Sequence, residues 1–265
     1  MRLDFGNWHL LVDDQGASIV RCQYRDDHVL WPQQYTYALG ACAMKHRGGL
    51  HACVPNFGPP PEAYPALGPD KHGFMRNVLF HAIERVELED CVVGRYKLER
   101  YEHPGFPWLM TITVVIRVFQ NGFSYTVEIM NASGNPELMP VYPALHPYFA
   151  VPTGIVQQAS VTLGEAVVPF ERDEITRRGA FGPSACPVPA GMQLIPSLRL
   201  PGLGEVTMVT NQRCPFYVLW SDDPRYLCVE PVFAEYESFG KLNGLYLEQG
   251  ETFTAELTVL LSPEH

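Results

Sequence analysis

The 265-residue chain has no apolar run approaching the ~20 residues that a membrane-spanning helix needs. Its first residues, Met1-Arg2-Leu3-Asp4-Phe5-Gly6, carry no basic flank followed by an apolar stretch, so no secretory signal is expected and a cytoplasmic location is. Cysteine motifs are missing too. The seven cysteines are scattered and form no Cys-x-x-Cys pair, which reads as reduced thiols used mostly as core filling. Basic charge is in short supply, with 19 Lys and Arg against 29 Asp and Glu and a net charge of −10. That argues against nucleic acid or an anionic membrane as the main partner, while a small anionic ligand answers to local charge instead. No long stretch shows a 3.6-residue period, and residues 164–180 offer the best place for a short helix. With no internal repeat and no linker-like segment, residues 1–265 read as one domain.

What the chain does have is period-2 alternation. Phe123-Ser124-Tyr125-Thr126-Val127-Glu128-Ile129 alternates apolar with polar residues. Ile112, Val114, Ile116 and Val118 share one face, as do Phe253, Ala255, Leu257 and Val259. Each is the pattern of a half-buried strand. The 24 prolines and 22 glycines are spread along the chain and imply many turns. Gln120-Asn121-Gly122 and Glu248-Gln249-Gly250-Glu251 look like hairpin turns. The expected fold is all-β, with large antiparallel sheets packed face to face and few or no helices. The proline-rich stretch 59–69 reads as a loop walling a pocket or as a solvated surface loop.

Three separated segments place ionisable side chains among aromatic, apolar or rigidifying neighbours. They are Lys71-His72-Gly73-Phe74-Met75-Arg76-Asn77, Leu145-His146-Pro147-Tyr148-Phe149 and Leu227-Cys228-Val229-Glu230-Pro231. Two histidines and a glutamate can supply an acid, a base and a positioning group to one pocket. The same residue types can also hold Zn²⁺ or Fe²⁺. Such sites usually draw two histidines from one strand or helix, and no His-x-His occurs here, so no metal and no cofactor are expected. Glu230 sits at a strand end, where Pro231 should stop further pairing. Trp220 could stack on the apolar face of a sugar or fill the core.

These segments, with Arg47-Gly48-Gly49-Leu50 and Pro55-Asn56-Phe57-Gly58, resemble the aldose 1-epimerase superfamily. The similarity is strongest to its hexose-6-phosphate mutarotase-like branch. It runs from Arg47 to the C-terminus and is weak over residues 151–215. The resemblance implies a large antiparallel β-sandwich of the galactose mutarotase type. It also implies cofactor-free interconversion of the α and β anomers of an aldohexose or its 6-phosphate. A non-catalytic carbohydrate-binding protein on the same fold is the second class, but it would have no need of a paired His146 and Glu230.

On this resemblance Glu230 is the base and His146 the acid. A glutamate is ionised at neutral pH unless burial intervenes, and imidazole suits a proton that moves both ways. His72 is the expected contact to a sugar hydroxyl or ring oxygen. From their residue types, Phe74 could pack beneath the site, Tyr148 and Phe149 could wall it, and Trp220 could stack on the sugar or lie in the core. Arg47 and Arg76 are expected near a phosphate, with Lys71 adding charge, because the guanidinium fork matches phosphate oxygens, or else they orient a catalytic carboxylate or brace a loop. The family's substrate-binding aspartate falls in the divergent region, where Asp173 is the candidate. The partner is a small sugar or sugar phosphate, and the protein is expected to be a monomer or weak homodimer.

Overall fold

The computed structural model describes residues 1–37, 44–59, 62, 64, 71–135, 138–151, 159–164, 166–169, 193–212, 214–221, 223, 225–235 and 238–264. Almost everywhere the alternation becomes strand. The chain opens with β1 (Arg2–Phe5), β2 (Trp8–Asp13), β3 (Ser18–Tyr24) and β4 (Asp27–Leu30). The pair β5 (Gln34–Tyr37) and β6 (Met44–Arg47) follows, then β7 (Leu50–Cys53). A 3-10 turn at Met75–Asn77 precedes β8 (His81–Glu87), β9 (Cys91–His103), β10 (Phe106–Phe119) and β11 (Gly122–Asn131). Next come β12 (Met139–Val141), β13 (Ala144–Ala150), β14 (Ser160–Leu163), β15 (Ala166–Pro169), β16 (Ser197–Leu200) and β17 (Gly204–Thr210). The chain ends with β18 (Phe216–Trp220), β19 (Tyr226–Val232), β20 (Leu245–Leu247) and β21 (Thr252–Pro263). No α-helix occurs among the described residues.

Two large antiparallel sheets result. One has eight strands in the order β1-β2-β3-β4-β13-β19-β18, with β7 also pairing β13 and β3. The other has nine, in the order β15-β14-β16-β17-β21-β11-β10-β9-β8. One connected apolar core joins them. Ile112, Val114, Ile116 and Val118 enter it with no exposure, as do Phe123, Tyr125, Val127 and Ile129. Burying that much apolar surface is the main force holding the sheets together.

Gln120-Asn121 closes the β10–β11 hairpin as its turn residues predict, with Phe119 paired to Gly122. Other expectations are corrected. Residues 248–251 do turn, the Glu251 N–H donating to the Glu248 carbonyl, but the flanking strands part company. β20 pairs β12, while β21 enters between β11 and β17. Within 164–180, residues 166–169 form a strand, and most of the remainder lies outside the described residues, as does most of the 59–69 loop. Pro231 does not end its strand. β19 continues through it to Val232, with Pro231 opposite Tyr217. On the other side, the β13–β19 ladder pairs Ala144 with Val232 and then Tyr148 with Cys228. The skipped stretch contains both Pro147 and Pro231, each of which lacks a donor for the ladder. Proline there opens the ladder without stopping the strand.

Candidate active site

The interrupted stretch is where the ionisable groups meet. The register that pairs Ala144 with Val232 and Tyr148 with Cys228 sets His146 opposite Glu230. On the other edge of β13, His146 pairs with His51 of β7. Side chains alternate along a strand, so His146 and Tyr148 face one way and Leu145 and Phe149 the other. Leu145 and Phe149 join the main core. Tyr148 instead packs with Tyr226 and Cys228 in a separate small cluster flanked by Trp31 and Trp220. Phe149 therefore does not wall the site; it lies in the main core.

His146 Nε2 lies 3.5 Å from Glu230 Oε2, with the two side chains 4% and 2% exposed. The imidazole is stacked on Tyr148 (centroids 4.6 Å, 7° between planes) and on His51 (4.9 Å, 26°). The His72 ring meets it edge-on at 5.3 Å. Trp220, opposite Cys228 on β18, stands perpendicular to His146 at 6.0 Å. The Arg47 guanidinium lies 4.9 Å from the Trp220 ring centroid, a cation–π contact at the outer side of the cluster. Sequences far apart thus deliver three histidines, a glutamate, a tyrosine and a tryptophan to one place.

His72 is held by its loop. Its backbone N–H donates to the Gly58 carbonyl, and the Gly58 N–H donates to His72 Nδ1 at 3.2 Å. Nδ1 therefore carries the lone pair and Nε2 the proton. Burial, then the charges of Arg76, Lys71 and Arg47, push the His72 pKa down to about 3. The ring is a neutral donor through Nε2. His72 and Gly73 both have positive φ, 76° and 69°. A Cβ on Gly73 would fall against the Val54 carbonyl, so only glycine lets the loop dock there. Arg76 staples the same loop by donating to the Lys71 carbonyl at 2.9 Å.

Electrostatics set the resting protonation. Burial alone holds the Glu230 carboxyl well above the ordinary carboxylate range. Burial, followed by the nearby His51, His72, Arg76 and Arg47, pushes His146 well below the usual histidine value. His51 is lowered likewise, first by burial and then by Arg76 and its histidine neighbours. The resting pair is thus a carboxylic acid beside a neutral imidazole, not an ion pair. Either form, ionised or neutral, holds one proton in total. Glu230 Oε2 and His146 Nδ1 are buried and find no hydrogen-bond partner among the described residues.

Not every expected residue arrives here. Phe74 packs in the core on Tyr101, His103 and Phe106, stacking on His103 at 4.6 Å. Phe57 is the aromatic ring beside His72, at 5.1 Å. Asp173 lies outside the described residues. His51 was missed: the pairing that stacks it on His146 joins strands far apart in sequence, and its sole sequence signal is a place two residues beyond Arg47-Gly48-Gly49.

Two large antiparallel β-sheets on one apolar core, with a buried His–Glu pair on the eight-stranded one, are what the fold and the site define. A family profile for aldose 1-epimerase matches residues 2–190, and the chain belongs to that family. Among solved structures it resembles Slr1438 from Synechocystis sp. PCC 6803 (15% identity, 100% of this chain and 96% of that one, TM-score 0.73). It also resembles a galactose mutarotase related enzyme from Lactobacillus acidophilus (16%, 99% and 97%, TM-score 0.72). A third likeness is to galactose 1-epimerase from Lactobacillus acidophilus NCFM (10%, 99% and 93%, TM-score 0.66). At these identities the likenesses establish the fold. Comparison with curated proteins returned no match.

Proposed function

We propose that the chain is a mutarotase that interconverts the α and β anomers of an aldohexose or hexose 6-phosphate by acid–base ring opening, without a cofactor. The observation that carries this reading is the buried His146 Nε2–Glu230 Oε2 pair, 3.5 Å apart. In ring opening, one member takes the proton of the C1 hydroxyl while the other protonates the ring oxygen. The electron pair of the C1–ring oxygen bond leaves with that oxygen, and the C1 oxygen becomes the aldehyde. Both oxygens are bonded to C1, so two neighbouring groups can reach them. Rotation about the C1–C2 bond and reclosure with the roles exchanged give the other anomer. His72, with its proton on Nε2, donates to a sugar oxygen, and Trp220 offers an aromatic face to the ring. Arg47 and Arg76 supply positive charge suited to a phosphate.

Polarimetry tests this directly. Fresh α-D-glucose, α-D-galactose and their 6-phosphates are followed with and without protein. Acceleration of at least one is expected; none on any aldose defeats the reading in favour of a non-catalytic sugar-binding protein. Glu230→Gln and His146→Asn should each slow the reaction by about 10²–10⁴-fold, the usual worth of a positioned acid or base, with circular dichroism unchanged. Arg47→Ala and Arg76→Ala should raise KM for phosphorylated sugars far more than for unphosphorylated ones. Equal losses on both would remove the phosphate from the proposal.

A further inference from the structure

A thiol lies beside His146 and Glu230. Cys228 lies two residues before Glu230 on the same face of β19, opposite Trp220 on one side and Tyr148 on the other. One ligand atom each from His146, Cys228 and Glu230 falls within 4.8 Å of the others, and all three residues are buried.

We propose that His146, Cys228 and Glu230 form a binding site for a thiophilic divalent cation of the Zn²⁺ class, and that this cation and the sugar exclude one another. Three features support the site. First, 3.5 Å between His146 Nε2 and Glu230 Oε2 is long for a hydrogen bond. It is close to the edge of a tetrahedron whose corners lie at Zn–N, Zn–O and Zn–S distances, about 3.3–3.6 Å. Second, Glu230 Oε2 is buried without a hydrogen-bond partner among the described residues, and coordination would satisfy it. Third, the charges close. A dication displaces one proton from the Cys228 thiol and one from the Glu230 carboxyl, both to solvent, while neutral His146 gives a lone pair. Two plus and two minus leave a neutral buried complex, which a low-dielectric site favours. Three protein ligands leave a fourth position open for water.

The donor set also selects the ion. One sulfur and one imidazole suit Zn²⁺, Co²⁺ or Cd²⁺, whereas Mg²⁺ and Ca²⁺ want oxygen ligands. Arg47 and Arg76 oppose any cation held by charge alone, so ligand bonding must supply the affinity. This ion would occupy both proton-transfer groups and stop the reaction, where the spacing of the histidines in sequence predicts no metal.

Chelator-treated protein is titrated with Co²⁺ alone and then with Zn²⁺. The expected result is one Co²⁺ per chain with a thiolate-to-cobalt charge-transfer band, which Zn²⁺ bleaches and Mg²⁺ does not. Cys228→Ser should abolish the band and, with Glu230→Gln, weaken binding by about a hundredfold, no less than the loss of an outer-shell partner costs. Cys228→Ala serves if the serine variant misfolds. No band in the wild type, or an undiminished band in either folded Cys228 variant, overturns the site. Mutual exclusion rests on the proposed function and is read separately: Zn²⁺ should slow wild-type mutarotation in competition with sugar and leave Cys228→Ser untouched. Mutarotation unaffected by Zn²⁺ at saturation overturns the exclusion. A wild type without mutarotation overturns the proposed function instead, and the Co²⁺ titration still decides the site.

Discussion

Burial changes what each titratable residue at the site is. Glu230 reads in sequence as an ionised base, and its surroundings make it a carboxylic acid at rest. His146 reads as an acid and is instead a neutral imidazole. Since the pair keeps one proton either way, both assignments predict the same bell-shaped profile. Its acid limb should fall below the usual histidine range, where the pair gains a second proton. Its alkaline limb should fall above the usual carboxylate range, where the pair loses its one proton. Trp220 shields this pair, with Arg47 against its ring. Trp220→Ala should hydrate Glu230 and lower its pKa, so the alkaline limb of kcat/KM should move to lower pH. A limb that stays in place would show that desolvation is not what raises Glu230.

At the scale of elements, the site depends on how two neighbouring strands and one loop are held. Pro147 and Pro231 open the β13–β19 ladder beside His146 and Glu230, while β18 and β7 keep those strands in place on their outer edges. The His72 loop docks through two consecutive residues of positive φ. Gly73→Ala should cost about 1–3 kcal/mol from the strained backbone, with more from contact with the Val54 carbonyl. It should also raise KM by displacing His72. Chemical denaturation and steady-state kinetics on the same preparation check both. Loss of stability without a change in KM would place His72 away from the sugar. Much at this scale was legible beforehand. The strands of Thr111–Val118 and Phe123–Ile129 show their buried faces by alternation alone. Glu248–Glu251 showed its turn but not that its flanking strands join different partners, because that choice is made by β11, β12 and β17.

For the whole molecule, a cluster of buried neutral histidines ties folding to pH. His51, His72 and His146 have folded pKa values below their unfolded ones. The unfolded chain therefore binds more protons below about pH 6.5, and stability falls as pH drops through that point. Glu230 acts in the opposite sense, its raised pKa lowering stability as pH rises above the unfolded carboxylate value. Between about pH 4.5 and 6.5 three histidines outweigh one carboxyl, so acidification should destabilise. Each unbalanced proton is worth about 1.4 kcal/mol per pH unit. Urea unfolding from pH 7 to 5 measures the slope, and His72→Gln should make it shallower. A flat or rising stability on acidification would contradict the neutral cluster.

The sequence by itself determined that this is a β protein, because period-2 burial is a local property that each strand displays on its own. It also pointed to His72, His146 and Glu230, since their short motifs carry the family likeness without reference to distance. Only the tertiary structure decided that His51 stacks on His146 and that Cys228 joins the pair. It alone turned Phe74 and Phe149 into the core, and it alone left Glu230 protonated. Those outcomes follow from strand register and desolvation, which exist only once segments remote along the chain lie side by side and water has been expelled from between them.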